Sequence, residues 1–173
     1  EKGVKDKLKG NVFSKLSRLI SLAVIEGGGI SVPGKNVKLR LAIEKARNFN
    51  LPKDNIDRAI EKGKGPDSQQ LKEVIYEAFG PGGIAIIILA SSDNMNRTLS
   101  EIRSAVESFG GKLGNKGSVM YLFKKNNNND YVALPWSEVE RSDSEVKKKI
   151  VGLIEALDNL DDVQKVFTNE KIN

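Results

Sequence analysis

The sequence feature that most constrains the fold is the uninterrupted apolar run from Ile84 to Ala90. This run has the length of a strand and falls far short of the roughly 18 to 20 residues that a membrane-spanning helix needs. It follows a Gly-Pro-Gly-Gly turn at residues 80–83, and the residues before that turn, Val74–Phe79, have the composition of a strand. The stretch therefore predicts a β-hairpin whose second strand is fully buried.

Further strands and two helices are predicted after this hairpin. Thr98 with Glu101, and Ser142 with Glu145, match the Ser/Thr-x-x-Glu capping box that starts a helix. Strands are predicted at three further places: Lys112-Leu113 with Ser118–Phe123, Tyr131–Leu134, and Val163–Phe167. The order strand, strand, helix, strand, strand, helix, strand predicts a ferredoxin-like α+β domain over residues 74–173, with helices on one face of a sheet.

The chain before residue 66 has the 3.6-residue apolar period of short amphipathic helices. Three helices are predicted, over residues 12–26, 36–48 and 52–62. In the second helix, Val37, Leu41 and Ala42 are expected to face the core, and Leu39, Ile43 and Ala46 are expected to widen that face. Asn36 is the expected N-cap of that helix, and residues 1–10 are expected to form a mobile basic arm. We therefore predict a three-helix domain over residues 1–65 and a linker over 66–73.

Positive charge is concentrated in the predicted helical domain. Residues 1–65 carry 15 Lys/Arg against 7 Asp/Glu, whereas residues 66–173 carry 13 against 16. Such asymmetry predicts a nucleic-acid partner, although a solvated helical surface has the same composition, and a helix-turn-helix reader is not established by the connection after Asn48. The candidate contact residues in this domain are Lys15, Arg18, Lys38, Arg40, Lys45, Arg47, Lys53, Arg58, Lys62 and Lys64.

Arg97 is a further candidate for nucleic-acid binding. It lies in the loop Asp93–Thr98, which leads into a predicted helix N-terminus, where exposed N–H groups attract anions. One interpretation is that Arg97 grips a phosphate, and the other is that it pairs with a nearby acid. Tyr76, Phe79 and Tyr121 are candidates for base stacking or for the core.

The composition argues against catalysis. The chain has no His and no Cys, so the usual general base, the usual zinc ligands and thiolate chemistry are all missing. No glycine-rich segment has the spacing of a P-loop or a dinucleotide fingerprint. We therefore expect a non-enzymatic protein with no cofactor, no metal, no small-molecule substrate and no membrane partner.

Lys124–Asn129 is an unpatterned run of two lysines and four asparagines. It is expected to be a low-complexity junction over 124–130, or a place where residues have been left out.

The ordered motifs of this chain resemble those of the YebC family of bacterial regulatory proteins, which includes the mitochondrial translational activators of cytochrome c oxidase. The resemblance spans nearly the whole chain and is carried by several short segments: Leu39-Arg40, Asn50–Ile56, Gly80–Gly83, Asp93-Asn94, Asn96–Thr98, Gly110-Gly111, Gly117–Val119 and Asp161–Gln164. It departs from the family in two ways. The N-terminal Gly-His-Ser-Lys-Trp motif is absent, which fits a trimmed start. The family's usual third α+β domain, inserted into the second, also has no room between Phe123 and Tyr131. Either this member has lost that domain or those residues are missing from the chain.

The resemblance implies a nucleic-acid-binding regulator of gene expression, most simply a transcriptional regulator that binds DNA. The alternatives are a ribosome-associated translational activator that acts on ribosomal or messenger RNA, and a protein–protein adaptor. A cytoplasmic protein is expected, or a mitochondrial one if a targeting segment has been removed.

Overall fold

The computed structural model describes residues 2–66 and 71–171, with side chains from residue 11 onward. The chain divides into two compact units, one of residues 1–73 with 91–94 and the other of residues 74–90 with 95–173. Helices and antiparallel sheets are both present, so the α+β class is confirmed. Half of the predicted linker, residues 67–70, lies outside the described residues.

The first unit contains the three predicted helices. They are α1 (Lys2–Glu26), α2 (Val37–Asn48) and α3 (Lys53–Lys64), and α1 packs against both of the others. Their core consists of buried aliphatic side chains: Leu16, Ile20, Ala23, Val24, Leu39, Ile43, Ala46, Leu51, Ile56 and Ala59.

The first helix starts earlier than the sequence pattern suggests. The prediction of a mobile arm over residues 1–10 is wrong for residues 2–10, which form the first turns of α1. These residues lack an apolar stripe, but they are rich in Lys, which has a high intrinsic helix propensity. Helix propensity therefore extends α1 beyond the segment that the apolar period marks.

The buried face of α2 also differs from the prediction. Val37 and Leu41, predicted at the centre of the core face, are 62% and 54% exposed, so that part of the prediction is wrong. Leu39 and Ile43, predicted to widen the face, are buried and form its centre. Both sets recur at helical spacing, so the period alone does not choose between the two faces. The side chains that reach α1 determine the choice.

Asn36 fastens the start of α2 to the end of α1. Its Oδ1 accepts a hydrogen bond from the backbone N–H of Leu39 at 3.1 Å, which confirms the predicted N-cap. Its Nδ2 donates to the carbonyl oxygens of Ala23 and Ile30, each at 2.9 Å. All the polar atoms of this buried amide thus have partners within the first unit.

The second unit is built on a four-stranded sheet of order β3-β1-β2-β6. The described part of the chain contains six strands, β1 (Lys72–Phe79), β2 (Ala85–Ser92), β3 (Lys112–Leu113), β4 (Phe123–Lys125), β5 (Tyr131–Ala133) and β6 (Val163–Thr168), with helices α4 (Met95–Ser108) and α5 (Ser144–Asp158). The β1–β3 and β2–β6 pairs are antiparallel, as is the separate β4–β5 pair.

Strand β2 is buried on both of its faces, as its apolar run predicts. Ile86 and Ile88 pack with side chains from α4 and α5, including Ile102 and Leu153. On the opposite face, Ile87 packs into a second cluster that contains residues of the β4–β5 hairpin. The sheet therefore has a helical layer on one side and a small β-hairpin on the other.

The connectivity is not that of a ferredoxin-like domain. Two strands precede the first helix of the second unit, whereas the ferredoxin-like order places a helix after the first strand. Only Phe123 of the predicted strand Ser118–Phe123 lies in a strand, because Met120–Leu122 form a 3-10 turn. The predicted layer of helices on one face is present, and the hairpin on the other face is the added element.

The asparagine run forms an ordered hairpin turn between β4 and β5. The Oδ1 of Asn126 accepts from the backbone N–H groups of Asn128 and Asp130, at 2.9 and 3.1 Å. Asn129 has a φ of 62°, a left-handed conformation that asparagine tolerates better than most residues. The residue type that looks like low complexity in the sequence thus supplies the turn chemistry.

Neither predicted capping box forms. Helix α4 begins at Met95, so Thr98 lies inside it, fully buried, and its hydroxyl donates to Asp162 Oδ2 at 2.6 Å. Helix α5 is capped by Asp143, whose carboxylate accepts from the N–H of Glu145 at 2.9 Å. Thr98 thus binds the distant Asp162 instead of capping α4. In α5 the residue next to Ser142 is the cap.

Asp162 is a buried anchor for α4. It also accepts from Arg97, whose Nε and Nη2 lie 3.2 and 3.0 Å from its two carboxylate oxygens. The side chain of Asp162 is 3% exposed and that of Arg97 is 40% exposed. The turn before β6 is thereby tied to the first turns of α4 by a charge-assisted, two-pronged contact.

Glu77 is a second buried carboxylate, on β1. Its oxygens accept from the backbone N–H groups of Gly117, Val119 and Met120, at 2.6, 3.0 and 2.7 Å. Burial alone would raise the pKa of Glu77, but these three donors and the charge of Lys116 together lower it. The ionised carboxylate therefore holds the loop that leads towards β4.

We predict that Asp162→Ala lowers the free energy of unfolding by about 2–4 kcal/mol, because it removes a buried acceptor to which Arg97 and Thr98 both donate. Urea unfolding at neutral pH measures this change. Glu155→Ala, at an exposed position on α5, is the control and should change the free energy by less than about 0.5 kcal/mol. Equal effects of the two substitutions would show that Asp162 is not an anchor.

We predict that Glu77→Gln destabilises the fold by about 1–3 kcal/mol at pH 7, because charged acceptors make the stronger hydrogen bonds. A carboxylate with a lowered folded pKa stabilises the protein above its ordinary value of 4.5, and this stabilisation is lost as the pH falls through the lowered pKa. The difference between wild type and variant should therefore shrink below about pH 4.5 in urea titrations. A difference that is constant with pH, or one matched by the exposed Glu107→Gln, would contradict this role.

Candidate nucleic-acid interface

The basic side chains of α2 lie in two rows. Residues seven apart are two turns apart on a helix, so Lys38 and Lys45 share one side and Arg40 and Arg47 share the other. The two rows flank the buried stripe that contains Leu39, and all four basic side chains are exposed. Because Glu44 is the only acid of this helix, α2 carries a net charge of +3.

The row with Lys38 is partly neutralised. Lys38 Nζ lies 2.6 Å from Glu26 Oε2 at the end of α1. The hydrogen bond and the charge of Glu26 raise the pKa of Lys38 above its ordinary value. This lysine remains charged at neutral pH, but much of its field is compensated by the adjacent carboxylate.

The row of Arg40 and Arg47 is the more available one. Neither guanidinium has a hydrogen-bond or ion-pair partner in the part of the chain that the structure describes. Two helical turns separate the two arginines by about 10 Å along the axis. Their planar groups, which are always charged, are suited to binding phosphate in a bidentate way.

Helix α3 contributes less positive charge than its lysines suggest. Lys53, Arg58, Lys62 and Lys64 are exposed, but the outward side of the same helix carries three acids, Asp54, Asp57 and Glu61. Arg58 donates within its own helix, to the carbonyl of Asp54 and to Asn55 Oδ1, and Lys64 pairs with Glu61. The sequence itself indicates this reduced positive charge, because the three acids recur three and four residues apart on the helix.

The remaining candidates are engaged in the protein. Lys15 and Arg18 are half-buried on α1, and Arg18 donates to the carbonyl of Ser91, which belongs to the same unit, at 2.9 Å. Arg97 uses its guanidinium on Asp162, as described above. These three side chains are therefore less available than Arg40 and Arg47 of α2, and their roles as contacts stay predictions.

The described residues contain two further features that bear on function. No group of three or more Asp and Glu residues in them is arranged to hold a metal ion. No helix in the same part of the chain is long and apolar enough to cross a membrane.

Sequence reasoning missed the most exposed aromatic residue of the described chain, Trp136. It lies in a 3-10 turn after β5 and is 69% exposed. The only signal in the sequence is its position after Pro135 in a short polar segment. Tyr121, a stacking candidate, is also largely exposed, whereas Tyr76 is half-buried against the helical core.

Comparison with known proteins identifies relatives along nearly the whole chain. A family model described as the TACO1/YebC protein N-terminal domain matches residues 1–66, and one described as the TACO1/YebC second and third domain matches residues 71–129. The second match ends inside the turn between β4 and β5.

Several curated relatives are named as probable transcriptional regulatory proteins. One from Herpetosiphon aurantiacus is 52% identical over 124 residues, which cover 71% of this chain and 48% of that protein. One from Lactobacillus delbrueckii is 40% identical over 174 residues, which cover 98% of this chain and 68% of that protein. The chain thus spans about half the length of the first relative and about two thirds of the second.

A solved structure has the same fold. The crystal structure of a conserved hypothetical protein from Aquifex aeolicus matches with a TM-score of 0.84 and 33% identity, over 95% of this chain and 90% of that one. The family models cover more than half of the chain, and the Lactobacillus relative extends the match to nearly all of it. The chain belongs to the TACO1/YebC family.

Proposed function

We propose that this chain is a nucleic-acid-binding regulator of gene expression that makes its main phosphate contacts through α2. The observation that carries the proposal is the row of Arg40 and Arg47, two exposed guanidinium groups without an acid partner among the described residues. The names of the relatives, probable transcriptional regulatory proteins, support a role in regulating transcription, and duplex DNA is the ligand that we propose for it.

Phosphate contacts alone can supply most of the binding affinity that we propose for the surface of α2. Lysine and arginine that neutralise phosphates release condensed counterions, and this supplies most of the affinity of non-specific binding. The surface of α2 offers the required charge on a rigid helix, next to the buried core of the first unit. The proposed role is binding without catalysis, and it needs no cofactor.

We predict that Arg40→Ala/Arg47→Ala weakens binding to a 20-base-pair DNA duplex by about tenfold at moderate salt, because two phosphate contacts are lost. Fluorescence anisotropy with labelled duplex measures the affinity. The matched control is Lys147→Ala/Lys149→Ala on α5, which removes the same charge from exposed positions of the second unit.

An equal loss of affinity in both variants would show that only net charge matters, and no loss in the first would exclude α2 as the contact surface. Parallel titrations with a structured ribosomal RNA fragment distinguish the nucleic acid. Tighter binding of duplex DNA supports transcriptional regulation, whereas tighter binding of the RNA contradicts that part of the proposal.

A further inference from the structure

The second unit exposes two large aromatic side chains at one end of the β4–β5 hairpin. Trp136 is 69% exposed and Tyr121 is 64% exposed, the highest values among aromatic side chains in the described residues. The same hairpin buries other aromatics, since Phe123 is 7% exposed and Tyr131 packs edge-on against Phe167. The hairpin thus has an anchored inner face and a separate aromatic outer end.

Hydrogen bonds bring the two exposed residues onto neighbouring segments. The carbonyl of Leu122 accepts from the N–H of Leu134 at 2.8 Å and from the hydroxyl of Ser137 at 2.9 Å. Tyr121 precedes Leu122 and Trp136 precedes Ser137. The two rings therefore project from adjacent, mutually bonded stretches of backbone.

Hydrogen bonds to buried polar side chains fix the backbone next to both rings. The carboxylate of Glu77 binds the N–H groups of Val119 and Met120, directly before Tyr121. The carbonyl of the buried Ser137 accepts from Asn169 Nδ2 at 2.9 Å, directly after Trp136. Because this backbone is already fixed, less conformational entropy of the protein is lost when a ligand binds the rings.

The segments that carry the two rings contain more lysine than acid. Residues 116–125 include Lys116, Lys124 and Lys125 and no acid, and residues 131–138 include one acid, Glu138. In the turn between these segments, Asp130 pairs with Lys165 at 2.7 Å. Lysines that lie on the same segments as the exposed aromatic side chains complement a ligand with negative charge and flat apolar rings.

We propose that Tyr121 and Trp136 form a stacking site for single-stranded nucleic acid. Unpaired bases stack on aromatic side chains while nearby lysines follow the phosphates, a mode of binding that tolerates any sequence. A duplex does not offer free base faces, so this site is distinct from the α2 surface. The inference rests on the proposed nucleic-acid function and adds a second contact of different specificity.

Trp136 makes the site directly observable, because it is the single tryptophan of the chain. An unlabelled oligothymidylate of about 15 nucleotides should quench the tryptophan fluorescence of the full chain in a saturable way, because bases stack on the indole. A duplex of the same length should bind with little quenching. Absence of quenching at oligonucleotide concentrations that saturate binding would overturn the proposal.

Two substitutions at the same exposed position separate stacking from general apolar contact. Trp136→Phe keeps an aromatic face and should bind labelled oligothymidylate almost as well as wild type, whereas Trp136→Leu should bind about tenfold more weakly. Equal affinities of the two variants would overturn the stacking site. If the tryptophan fluorescence instead changes with protein concentration in the absence of oligonucleotide, this end of the hairpin mediates self-association. That result would also overturn the stacking site.

The α2 variant distinguishes this inference from the function on which it rests. If Arg40→Ala/Arg47→Ala loses duplex binding but oligothymidylate still quenches Trp136, both proposals are supported. If duplex binding is lost and quenching by single strands was never present, only the α2 surface stands. If duplex binding is unchanged while quenching persists, the stacking site stands and the assignment to α2 fails.

Discussion

The second unit depends on one constraint, the burial of both faces of β2. Ile86 and Ile88 are fully buried beneath two helices, and Ile87 is fully buried on the side of the hairpin. Burying an isoleucine side chain stabilises a fold by about 1.5–3 kcal/mol relative to exposure, so neither layer is dispensable. A strand with two apolar faces requires a cover on each side, and the chain supplies α4 and α5 for one and β4–β5 for the other. The connections that place these covers determine where loops reach the surface.

Buried carboxylates then fix the covering layers in place. Asp162 holds the start of α4, and Glu77 holds the loop that leads to β4. Both have their charge satisfied by several donors, which is the condition for keeping an ionised group inside. This use of polar residues has a functional consequence. The guanidinium of Arg97 is bound to Asp162 and is therefore less available to a ligand. On α2, by contrast, Arg40 and Arg47 are exposed and have no acid partner among the described residues.

Local patterns in the sequence predict much of this fold, and long-range contacts account for the rest. The apolar run of β2 and the cap at Asn36 depend on neighbours in sequence, and both are present. Thr98 was expected to cap a helix because its partner, Asp162, lies 64 residues away and leaves no local trace. The exposed side of α2 and the exposure of Trp136 depend likewise on which surfaces other elements cover. In the candidate site, composition identified the basic unit and the acids of α3 lowered its net charge, but the ion pair of Lys38 with Glu26 is visible only in the structure.

The central claim is that Arg40 and Arg47 contact phosphates, and the salt dependence of binding tests it most directly. Each phosphate contact adds about 0.9 to the negative slope of log affinity against log salt concentration. Removing both arginines should therefore reduce the magnitude of the slope for duplex DNA by about 2, while the double lysine variant on α5 should leave it unchanged. The account predicts that difference between the two variants. An unaltered slope in the double arginine variant would contradict it.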